Sequence, residues 1–145
     1  MRDQRRDPRR ARAPGTSPRE RAPGSASRRQ AELRRHILIA AEIIAAAKAA
    51  DQGALADAQA RWRQNADTIA ALLNRVNPRH WKRAAPRAML GEHLRLATDE
   101  AVARLQGDWE ADVRAYDRVH RHALGMADAL SAGLIAQLPS RFRAA

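Results

Sequence analysis

Between residues 107 and 134 the apolar positions Trp109, Val113, Tyr116, Val119, Ala123, Met126, Leu130 and Leu134 recur at spacings of three and four. That period keeps them on one side of an α-helix of 3.6 residues per turn. The same rule predicts three helices upstream. Leu33, Ile37, Ala40, Ile44 and Ala47 stripe a helix from about Gln30 to Ala50, and Ile39 and Ile43 widen the stripe enough to imply contacts on more than one side. Leu55, Ala58, Trp62, Ala66, Ile69, Leu72, Leu73 and Val76 stripe a second, from Ala54 to about Val76. Met89, Leu90, His93, Leu94, Ala97, Ala101 and Leu105 predict a third, which opens near Pro86 and reaches about Gln106. The fourth runs to about Gln137, where Pro139 stops it.

Short turns join the first helix to the second and the third to the fourth. Asp51-Gln52-Gly53 makes one, with Gly53 free to take a positive φ, and Gly107-Asp108 makes the other, with Asp108 as a helix N-cap. Turns this short make each pair antiparallel neighbours. Sliding the chain by 57 positions lays Leu33 on Leu90, His36 on His93, Asp51 on Asp108, Ala58 on Ala115, Arg61 on Arg118, Ala66 on Ala123 and Leu73 on Leu130 without a gap. The pattern reads as one helical hairpin present twice, giving an all-α, up-down-up-down four-helix bundle over residues 30–138. Residues 77–86 form the long interior connection, in which Trp81 caps the end of the core.

Composition then narrows the picture. Alanine dominates the apolar fraction, so the core is one of closely approached helices around a few large anchors, with Trp62, Trp109 and Tyr116 among them. With no cysteine in the chain, disulfides, thiolate metal sites and thiol nucleophiles are excluded. The net charge is +11, but ten arginines against Asp3, Asp7 and Glu20 place seven of those charges in the first 30 residues. Residues 1–29 combine Arg, Pro, Gly and Ser with almost nothing large and apolar, and are read as a disordered basic tail; residues 139–145 form a short C-terminal tail. An arginine-rich arm of that kind can neutralise phosphates, so nucleic acid is one candidate partner. The longest apolar run, 37–50, contains Glu42 and Lys48 and is too short to span a bilayer, so the reading is a cytoplasmic protein without a membrane partner.

Whole phrases carry a resemblance. They are RRHILIAAEIIAAAKAAD (34–51), ARWRQNADTIAALLNRVNP (60–78), MLGEHLRLATDEAVARLQGDWEADVRAYDRVHRHALGMADALSAGL (89–134) and QLPSRF (137–142). With them the chain resembles a family of small uncharacterised all-helical bacterial proteins found in actinomycetes and bacilli, often labelled automatically as glycosyltransferase or acetylglutamate kinase. No Gly-rich phosphate loop and no strand-helix alternation accompany those labels here. Members of the family carry a further helical hairpin in front, with its own His-containing motif, where this chain has Arg-Pro-Gly-Ser sequence. That leaves two expectations, a genuine basic tail or a misplaced start or frameshift that truncates the bundle. A broad first-helix stripe without that leading hairpin favours self-association into a homo-oligomer.

For chemistry, His36 and His93 occupy equivalent places in the two copies, and His120 lies one turn from Tyr116 and Ala123. Glu32 precedes His36 by four residues, Asp117 precedes His120 by three, and Glu92 adjoins His93. Carboxylates and imidazoles projecting from several helices into a bundle are how non-haem iron, manganese or zinc sites are built. These six residues are therefore the candidate metal ligands, although a di-iron bundle wants Glu-x-x-His on two helices and only one Asp-x-x-His is present. Asn65 and Asp67 could face a ligand between helices or bond neighbouring side chains. Thr98, Ser131 and Ser140 lack a base and orienter around them. The leading expectation is a non-enzymatic bundle that acts by association or by holding a ligand, with metal binding and nucleic-acid binding as alternatives.

Overall fold

The computed structural model describes residues 25–142. The chain is all-α: α1 (Ser25–Lys48), α2 (Gln52–Val76), α3 (Ala84–Gln106) and α4 (Trp109–Gln137), followed by a short 3-10 turn, Pro139–Arg141. Packing is widest within the hairpins, α1 on α2 and α3 on α4, and α2 joins the pairs by packing on α3. No comparable contact joins α1 to α4 among the described residues, so the four-helix bundle stays open on that side. The helix α1 begins at Ser25, five residues before the expected boundary; the rest of the basic stretch, 1–24, lies outside the described residues, as do 143–145.

The duplication is visible in detail. Asp51 accepts from Ala54 N at 2.9 Å and its equivalent Asp108 accepts from Ala111 N at 2.9 Å, so both second helices start on the same aspartate cap. Ala58 and Ala115 are each 1% exposed, because a methyl group there lets the paired helices approach closely. At the turns the positive φ falls not on Gly53, which lies inside α2, but on Ala50 (55°) and its equivalent Gly107 (72°). One copy has the residue that suits the left-handed region and the other does not.

The core is Ile39, Ile43, Ala58, Trp62, Ala66, Ile69, Ala70, Leu90 and Leu94, with Leu55, Leu73, Ala97 and Met126 against it. The expected stripes of α2 and α3 are therefore the inward ones, apart from exposed Val76 and Leu105. The stripes of α1 and α4 are inward only in part, through Ile39, Ile43 and Ala40 of the first and Val119, Met126 and Leu130 of the second. In α1 the buried positions are Ile39, Ile43 and Ala46, while Leu33, Ile37 and Ile44 are exposed. In α4 the face turned inward carries Asp112, Ala115, Val119, His122, Met126, Leu130 and Gly133, and Trp109, Val113, Tyr116, Ala123 and Leu134 lie outside.

The rotation of α4 has identifiable causes at both ends. Buried Asp112, in the first turn, takes Arg104 at 2.7 Å, and the same guanidinium lies over the Trp109 ring at 5.4 Å, which holds that indole on the surface. At the far end Trp81 packs on Gly133, and buried Asn77 donates to the Gly133 carbonyl at 2.8 Å. Trp81 therefore seats its indole directly on the α4 backbone at Gly133. A Cβ at Gly133 would land on the Trp81 indole, so Gly133→Ala should destabilise by about 1–3 kcal/mol. Ala50→Gly should instead stabilise by about 0.5–1 kcal/mol, since it relieves a left-handed alanine. Denaturant midpoints of the two variants against the parent check both signs.

Candidate functional site

Three imidazoles from three helices stand in a row across the middle of the molecule. The ring centroids of His36 (α1) and His93 (α3) are 6.5 Å apart and inclined at 28°; those of His93 and His122 (α4) are 6.1 Å apart at 16°. Trp62 of α2 lies 5.3 Å from the His36 ring, and its indole N–H donates to the His36 carbonyl at 3.1 Å. Beside the row, α1, α2 and α3 enclose a groove of about 320 Å³.

Asn65, 2% exposed, organises the α1 end of the row. Its Nδ2 donates to the Glu32 carbonyl at 3.1 Å and to the Glu32 carboxylate at 2.8 Å. That orientation leaves Oδ1 as the acceptor, and it lies 2.7 Å from His36 Nδ1, so Nδ1 of His36 carries the proton. In the neutral tautomer with its proton on Nδ1, an imidazole has its lone pair on Nε2. The second copy repeats the arrangement with one change: His122 stands where the 57-residue shift places Asn65, and its Nε2 lies 3.0 Å from the Met89 carbonyl, the equivalent of Glu32. A carbonyl only accepts, so Nε2 of His122 carries the proton and Nδ1 the lone pair. With no carboxamide opposite it, His93 has a buried Nδ1 without a hydrogen-bond partner.

The expected ligand set separates in this geometry. His36 and His93 come together, and Glu32 reaches the row through Asn65. His120 and Asp117 do not reach it: both are exposed, and the His120 ring stacks on Tyr116 at 6.0 Å. Glu92 turns outward to Arg95, with contacts of 2.6 and 2.9 Å, and those hydrogen bonds hold its carboxyl below the usual range. His122 takes the place expected of His120, because the inward face of α4 is the one through Ala115, Val119 and Met126. As they stand, no three His, Asp or Glu side chains among the described residues are set around a point that could hold a metal ion. Asp67 is engaged by Arg87 at 2.8 Å, an ion pair between α2 and α3.

The groove was not anticipated. Its lining runs along α1 from His36 to Ala47 and along α3 from His93 to Leu105, with Leu55, Gln59 and Trp62 of α2 as the floor. Eleven helical steps from His36 to Ala47, at a 1.5 Å rise, make it roughly 16 Å long, with the two imidazoles at one end and aliphatic walls beyond. Of the described residues lining it, none is Lys, Arg, Asp or Glu.

Comparison with known protein families, with characterised proteins and with solved structures finds no match. Among the described residues no helix is long and apolar enough to cross a membrane.

Burial holds the His93 imidazole below its ordinary value of 6.5, and the neighbouring His36 and His122 push the same way. The unfolded chain therefore takes up a proton at His93 before the folded one does, and stability falls as pH drops through and below about 6.5. His93→Gln should flatten that fall. Urea midpoints of both proteins between pH 8 and pH 5 check it.

Proposed function

We propose that this protein is a binding module that holds an apolar small molecule in the groove between α1 and α3. The observation that carries the reading is the groove itself, an aliphatic trough of about 320 Å³ with its few polar groups gathered at one end. Ligand sites have this composition, a mostly apolar lining with a small number of placed polar groups. The cytoplasm, self-association through the exposed residues of α1 and α4, and nucleic-acid contact by the arginine-rich stretch are compatible additions that the groove does not require.

The neutral dye N-phenylnaphthylamine tests the reading. Its fluorescence should rise on binding with micromolar affinity. Ala97→Phe, which fills the groove, should weaken binding at least fivefold, whereas Val113→Ser on the exposed face of α4 should leave it within twofold. The reverse pattern would remove the groove from consideration.

Metal binding is a second reading, altered in its residues to His36, His93 and His122. Its support is that each end imidazole has one ring N–H tethered, His36 to Asn65 and His122 to Met89, as the outer contacts of metal-ligating histidines are arranged. The rings would have to swing together from their present spacing. Equimolar Zn²⁺ should then raise the melting temperature by several degrees in the parent and not in His122→Ala; no shift in the parent discards this reading.

A further inference from the structure

We infer that the groove selects an aliphatic molecule ending in a neutral hydroxyl, read by Nε2 of His36. The inference rests on the groove being a binding site and adds the chemistry of the ligand's head.

The argument begins with what the polar end can offer. The Nδ1 proton of His36 is spent on Asn65 Oδ1, and the Asn65 carboxamide cannot reverse without losing both its bonds to Glu32. Glu32, acting through Asn65, thus sets the tautomer of an imidazole that lines the groove. The ring edge away from Asn65 carries a bare lone pair, so the group that meets it must be a donor.

Two kinds of donor compete, charged and neutral. An ammonium would enter a groove with no carboxylate among its described lining residues, and a carboxylate one with no lysine or arginine. Either would lose its hydration without a counter-charge, which is expensive. A hydroxyl brings the donor and no net charge. The remaining polar groups do not disturb this preference. Trp62 gives its N–H to the His36 carbonyl, Thr98 gives its O–H to the Leu94 carbonyl at 2.7 Å, and the Gln59 amide offers one donor and one acceptor alike.

Asn65 is accordingly a positioning residue: it acts on the ligand only through the proton it fixes on His36.

A matched set of octyl compounds tests this on the full chain: octan-1-ol, octyl methyl ether, octanoate and octylammonium, each competing with N-phenylnaphthylamine at pH 8. Octanol should bind about tenfold tighter than the ether, which has the same tail and no donor, as one hydrogen bond of ordinary strength requires. The two ions should bind more weakly than octanol. His36→Phe should erase the advantage of octanol over the ether. In the octanol complex the His36 ring should stay in the Nδ1–H form by ¹⁵N resonance. Equal affinity for alcohol and ether, or tightest binding by either ion, would overturn the head chemistry while the groove stands. Failure of every octyl compound, together with failure of the dye, would instead remove the groove.

Discussion

Asn65 lies near the middle of α2 with its side chain out of water, and a buried carboxamide left unpaired costs on the order of 1–3 kcal/mol for each unmet group. Its bonds all go to α1: the Glu32 carbonyl, the Glu32 carboxylate and His36 Nδ1. These groups can meet only if the two helices stay close and in one register. Closeness comes from Ala58, Ala66 and Ala70 on the facing side of α2, all buried. Register comes from the carboxamide, since a slip by one residue would leave it without partners in a low-dielectric interior. The groove wall, the His36 tautomer and the seat of Trp62 under the His36 carbonyl all follow from that fixed register.

The second hairpin repeats the frame and changes the contents. Its aspartate cap, its buried alanine and its left-handed turn residue match the first copy position for position, but the carboxamide has become His122. The bond to the opposite helix survives as imidazole to the Met89 carbonyl. What is lost is the acceptor that would have met His93, whose Nδ1 is consequently buried and alone. One substitution between the copies thereby converts a closed network into a row of three rings, of which only the outer two are anchored.

Much of the frame was legible because helical period, aspartate caps and a gapless internal shift are local signals. Asp51, Asp108, Ala58, Ala115 and the pairing of His36 with His93 all follow from them. The orientation of α4 was not legible by the same means. Its sequence carries two helical stripes, one through Trp109, Val113 and Tyr116 and one through Asp112, Ala115, Val119 and Gly133, and burial of large apolar side chains argues for the first. The second wins because an alanine and a glycine let neighbours approach, and because Arg104 neutralises Asp112 as it turns inward. The same rotation of α4 brings His122, rather than the expected His120, beside His93. The 57-residue shift held the remedy, since it sets His122 on Asn65, a polar residue that the period of α2 already placed beside buried Ala66.

Large apolar side chains that the core does not use meet solvent on three helices. Ile37 and Ile44 are exposed on α1, Val102 and Leu105 on α3, and Trp109, Val113 and Tyr116 on α4. Scattered exposed apolar residues need no explanation, but here they stand on three helices, two of which border the groove. Dispersion and water release both favour covering such a surface, at roughly 25 cal/mol per Å². A ligand in the groove covers only the part lined by α1 and α3, because α4 supplies none of its described lining. The exposed α4 positions Trp109, Val113 and Tyr116 therefore stay in water whether or not the groove is filled, and share no side chain with its described lining.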